Sequence, residues 1–135
     1  MSQKIEGRSD FETDEYRSLA KDFYTDLRET WERLVEEILL GKVVERFNSD
    51  VKTQSLKGVV VDDEDYKKIY WAMKHVSERS GHDMAAGRNI PVPKPDEMKI
   101  DLKTIDEYRI AINKRRDATA IERAAFEKAP KATTL

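Results

Sequence analysis

His75 and His82 are the two histidines of a 135-residue chain that has no cysteine. Near neutral pH, general acid–base work therefore falls first to them, and thiol nucleophiles and thiolate metal sites are excluded. The side chains available to assist are arginine and glutamate, abundant in a sequence with 39 % charged residues. His75, Glu78 and His82 would share a face if one helix ran through Gly81, and two imidazoles with a carboxylate can hold a metal. Gly81 argues against that continuity. Exposed or hydrogen-bonded histidines are the expectation, with no metal and no other cofactor.

A second constellation is Arg33 and Glu37, one helical turn apart, joined by His82 from a following helix. On a helical wheel Glu37 lies beside the stripe of Leu34 and Ile38 and Arg33 just outside it, so both could line a cleft. Arg28 and Glu32 fall on the opposite, solvent-facing side. In metal-free RNA cleavage the ribose 2′-hydroxyl attacks the neighbouring phosphate. That reaction needs a base, an acid for the leaving oxygen and a cation for the phosphorane charge. Glutamate, histidine and arginine can fill those roles. The spacing alone is weak evidence, because Arg-x-x-x-Glu recurs at Arg8/Glu12, Arg28/Glu32 and Arg123/Glu127. There it describes an intrahelical ion pair worth about 0.2–0.5 kcal/mol.

The elements that must position these groups are helical. From Asp14 to Leu40, Tyr16, Leu19, Ala20, Phe23, Leu27, Trp31, Leu34, Val35 and Ile38 recur at spacings of three and four, predicting one long helix of roughly 40 Å. Gly41 interrupts it, and Asn48-Ser49-Asp50 breaks any extension. Leu56 to Val61 is the only β-rich run and reads as an extended connection with at best a minor hairpin. Asp62 and Asp63 are N-caps for a second helix burying Tyr66, Ile69, Tyr70, Met73 and Val76, with Gly81 as its left-handed cap. His82 to Pro95 holds three prolines and reads as an extended elbow. A third helix starts near Asp96 or Asp101, buries Met98, Leu102, Ile105, Tyr108 and Ile112, and continues alanine-rich to Pro130. The fold class is all-α, a bundle-like domain over 14–129, with flexible segments at 1–13 and 130–135. The apolar face of the long first helix calls for a second copy or a coiled-coil partner, with Trp31 as the buried anchor.

Bulk properties narrow the function. With 25 basic and 27 acidic residues the formal charge is −2, so no overall field draws the chain to nucleic acid. The one basic cluster, Lys114-Arg115-Arg116 between Arg109 and Arg123, reads as a solvated helix surface. No run approaches the roughly 18 apolar residues of a membrane span, and no apolar leader is present, so a cytoplasmic protein without membrane contact is expected. A phosphate-cradling Gly-Lys-Ser/Thr loop, Gly-x-Ser-x-Gly, His-Glu-x-x-His and a calcium loop are all missing from the sequence.

Several segments carry a resemblance. Tyr16-Arg17-Ser18-Leu19, the run Leu27 to Glu37, Val51 to Leu56, Ser80-Gly81-His82-Asp83, Pro91-Val92-Pro93 and Lys114-Arg115-Arg116 together look like the C-terminal region of large bacterial AAA or SMC-like ATPases. These are often encoded near phage-defence genes and are similar to the PrrC-like anticodon-nuclease ATPases. The resemblance covers roughly Tyr16 to Arg116. It implies a helical effector or interaction domain that works beside an ATPase partner or domain. It also implies an RNase triad of Arg33, Glu37 and His82 acting on RNA, although His75 competes for the third role. The alternative is a non-catalytic interaction or dimerisation module.

Overall fold

The computed structural model describes residues 13–81 and 90–129. Among them the regular structure is helical, and the only β-pairing is an isolated antiparallel bridge between Val44 and Val51. The all-α expectation holds. The minor hairpin lies earlier than Leu56–Val61, because Thr53–Gly58 coils into a 3₁₀ segment and only Val59 onward is extended.

Helix α1 spans Asp14–Leu34, with Asp14 and Glu15 at its positive end and Arg33 in its last turn. The Thr13 hydroxyl accepts the Tyr16 backbone N–H at 3.1 Å, an N-cap. The buried line is Ala20, Tyr24, Leu27, Trp31 and Leu34, at alternating steps of four and three. The expected stripe is therefore rotated. Leu19 is exposed and Phe23 half-buried, while Tyr24 goes inside, where its hydroxyl finds the part-buried acceptor Asp101.

The next buried residue after Leu34 is Leu39, five positions on, where a regular helix would bring Ile38. A wide π-helical turn over Val35–Leu39 absorbs that extra residue. It closes with Leu40 N–H donating to the Val35 carbonyl at 2.8 Å and Lys42 N–H to that of Glu36 at 2.9 Å. The chain then reverses through Gly41 and Lys42, both left-handed at φ 58° and 61°. Gly41 does end the helix as expected.

Helix α2 spans Asp63–Ser80, with Asp63, Glu64 and Asp65 in its first turn. Gly81 follows at φ 88°, the left-handed cap the sequence predicts. Its buried residues are Asp65, Val76 and Ser80. Tyr66 and Tyr70 were expected inside; they are exposed, since the buried line runs along another face of the helix. Helix α3 spans Pro95–Lys128, beginning one residue before Asp96. Pro95, assigned to the elbow from sequence, is instead the first helical residue, where its missing N–H is harmless. Ile105 and Ile112 are buried as expected, but Leu102 is half exposed.

The described residues of Met1–Glu32 and Asp63–Ile105 form one compact unit, and those of Arg33–Asp62 and Asp106–Leu135 a second. In the first, Ala20, Tyr24, Leu27, Trp31, Val76 and Ile105 are buried; in the second, Leu34, Leu39 and Ile112. Trp31 is covered within a single chain, at 2 % exposure. No helix among the described residues is long and apolar enough to cross a membrane.

Candidate functional site

In the first unit, α2 and the start of α3 pair through two matched turns. His75 Nε2 lies 2.8 Å from Asp101 Oδ2, and Arg79 Nε donates to Glu97 Oε2 at 2.7 Å. As the index rises by four on α2 it falls by four on α3, so the helices run antiparallel here. Tyr24 on α1 completes the cluster, its hydroxyl donating to the same Asp101 oxygen at 2.5 Å. Its ring also meets the His75 ring edge-on at 6.1 Å. Arg79 Nη1 further donates to the His75 carbonyl at 3.0 Å. The His75 Nε2 to Glu97 Oε2 distance is 4.0 Å.

Burial alone would raise the Asp101 carboxyl, but hydrogen bonds from His75 and Tyr24 outweigh it and hold the group below its ordinary value. An ionised carboxylate only accepts, so Tyr24 and His75 both donate to it, which fixes the proton on His75 Nε2. The Tyr24 phenol is pushed far up, first by burial and then by Asp101, and stays neutral. His75 and Glu97, each about one-third exposed, give the cluster an open side, whereas Tyr24 and Asp101 form its floor.

Arg33 and Glu37, the sequence-derived pair, are both exposed, and no ion pair joins them. The Arg33 charge acts instead on Glu36, whose carboxyl is lowered chiefly by the Arg46 backbone N–H, donated at 2.5 Å. His82, the third member, lies outside the described residues. Among the described residues the Arg-x-x-x-Glu pair that does close is Arg28–Glu32, at 2.9 Å. Nor does Arg28 face only solvent, since its Nε also donates to Ser77 on α2 at 3.2 Å. Sequence reasoning missed Tyr24, Arg79, Glu97 and Asp101. The signal available was two i,i+4 pairs of opposite charge type, His75/Arg79 and Glu97/Asp101, on adjacent helices.

The basic run is not a solvated surface either. In the second unit Arg115 Nη2 donates to the Val60 carbonyl at 2.9 Å, and Arg123 Nη1 serves the carbonyls of Leu56, Lys57 and Val59. The Arg116 guanidinium lies against Gly41 and Gly58, with Nη1 buried and without a hydrogen-bond acceptor. These arginines tie the irregular 41–60 connection to α3. Lys114 alone of the three is exposed.

On the solvent side of the first unit, Tyr66, Tyr70 and Trp71 form an aromatic ridge along α2. Tyr70 meets Trp71 edge-on at 5.0 Å and Tyr66 at 6.1 Å. Beside it runs an open cleft of about 360 Å³, lined by Arg28, Tyr66, Ile69, Tyr70, Met73 and Lys74. Trp71 is 61 % and Tyr66 67 % exposed.

No protein-family model, curated protein or solved structure matches this chain.

Proposed function

We propose that the chain is a helical self-association module whose exposed α2 face receives a second copy of itself. The observation that carries this reading is the ridge of Tyr66, Tyr70 and Trp71 with the apolar cleft beside it, since contiguous exposed aromatic surface marks an interface. A second copy fits by charge. Tyr66, Tyr70, Met73 and Lys74 recur at helical spacing on one face, with exposed Asp63 and Glu64 at its start and Lys74 near its end. Antiparallel packing about a two-fold axis sets the acidic start of one helix against Lys74 of the other. It also opposes the two helix dipoles and stacks the aromatic side chains. Light scattering on the eluting full chain should give twice 15.7 kDa, and Tyr66→Glu with Tyr70→Glu should return the monomer mass with helical content retained. A monomer at every accessible concentration, or a dimer indifferent to both changes, refutes it.

An effector ribonuclease using Arg33, Glu37 and His82 is the second reading, resting on the sequence resemblance and on the exposure of Arg33 and Glu37, which leaves both open to a polyanion. Against it stands the use of Arg115 and Arg123 on backbone carbonyls, which removes them from phosphate contact. Cleavage of structured RNA that is lost in Glu37→Gln would favour this reading; inactivity on all RNA tested would remove it.

A further inference from the structure

We propose that His75, Glu97 and Asp101 form a binding site for one divalent transition-metal ion, with zinc the best match. The three donor atoms, one imidazole nitrogen and two carboxylate oxygens, all lie within 4.8 Å of one another. Zinc bonds to such atoms are about 2.0–2.2 Å long, so a single ion reaches all three after small side-chain adjustments. The donor set selects the metal class. Magnesium and calcium prefer oxygen alone, whereas an imidazole with carboxylates suits zinc and its neighbours.

The surroundings are those of an oriented site. Glu97 and Asp101 sit one turn apart on α3, and His75 faces them from α2. Tyr24, fully buried, fixes Asp101 through its hydroxyl, and Arg79 fixes Glu97, so both carboxylates have the outer hydrogen bonds that metal ligands characteristically receive. His75 and Glu97 are each about one-third exposed, which leaves an entry path and room for water as the fourth ligand. Arg79 opposes the incoming charge and donates to Oε2 of Glu97, the oxygen 4.0 Å from His75 Nε2, so the ion must share that oxygen or turn the carboxylate. The ion takes the place of the Nε2 proton, and the neutral imidazole then carries its proton on Nδ1 instead.

The test is calorimetric titration of chelator-treated full chain with zinc chloride, and with cobalt(II) for its visible d–d absorption. One saturable ion per chain is expected, together with a rise in Tm. His75→Ala should abolish that binding, and Tyr24→Phe should weaken it about tenfold by loosening Asp101. Glu97→Gln, at a partly exposed position, provides a second ligand variant should His75→Ala disturb folding, and it too should lose affinity. No saturable zinc, or zinc binding unchanged in both ligand variants, overturns the proposal. Stoichiometry is counted per chain, so the result is independent of self-association.

Discussion

Gly41→Ala tests the socket that receives Arg116, and its two consequences can be separated. Gly41 has φ 58°, a left-handed conformation in which an L side chain loses about 1–2 kcal/mol. A Cβ there would also fall 2.4 Å from Arg116 Nη1 and 2.8 Å from Cζ. A guanidinium is normally free to swing away. This one is backed by Gly58, where an added Cβ would sit 3.2 Å from Cζ, and its Nη1 is enclosed. The substitution should therefore cost about 2–5 kcal/mol, the backbone part plus a steric part of about 1–3 kcal/mol, the size seen on overpacking a filled site. Urea unfolding of wild type, Gly41→Ala, Arg116→Ala and the double variant forms a cycle. If the side chain is the obstacle, Gly41→Ala costs only the backbone part in the Arg116→Ala background, and a coupling of about 1 kcal/mol or more separates the double variant from the sum of the singles. A Gly41→Ala protein as stable as wild type, or strictly additive single changes, would refute the clamp.

Tyr24→Phe keeps the buried ring but removes a donor to an ionised carboxylate. It should cost about 1.5 kcal/mol in metal-free protein, the low end of the range for charged hydrogen bonds because Asp101 retains His75; equilibrium unfolding measures it. Glu36 is lowered from its ordinary 4.5, first by the Arg46 backbone N–H. Its stabilising contribution is present above that value and is lost as pH falls through the lowered one. Glu36→Gln should thus flatten the acid side of the Tm–pH curve and leave neutral and alkaline Tm values parallel to wild type, with an unchanged acid limb as the refuting result.

The legible part of the fold was set by periodicity and caps. The start of α1, the stop at Gly41, the start of α2 at its aspartates and the stop at Gly81 all follow from residue types acting within one turn. Periodicity was less able to say which side of each helix would be buried. Phe23 and Tyr24 are adjacent and both aromatic, and the choice between them was made by an acceptor 77 residues away, Asp101. Tyr66 and Tyr70 have the spacing of a buried stripe whether the face they occupy meets the same chain or nothing within it. The wide turn at Val35–Leu39 was also hidden, because Ile38 and Leu39 are both apolar and either could have followed Leu34.

The candidate site shows the same limit from the other direction. Arg33 and Glu37 were selected because four-residue spacing makes neighbours on a helix, yet the closed examples of that spacing draw their value from what faces them. Arg28–Glu32 is anchored by Ser77 of α2, and His75/Arg79 meets Glu97/Asp101 turn for turn. An isolated exposed pair gains only tenths of a kcal/mol, too little to hold two flexible side chains in one geometry. A pair on one helix matched by an opposite pair on the next is held by four hydrogen-bonding groups at once and buries part of each. The physical signal for a polar site in so charged a chain is therefore not one Arg-x-x-x-Glu but two complementary i,i+4 pairs on consecutive helices, with a neutral donor such as Tyr24 available from a third.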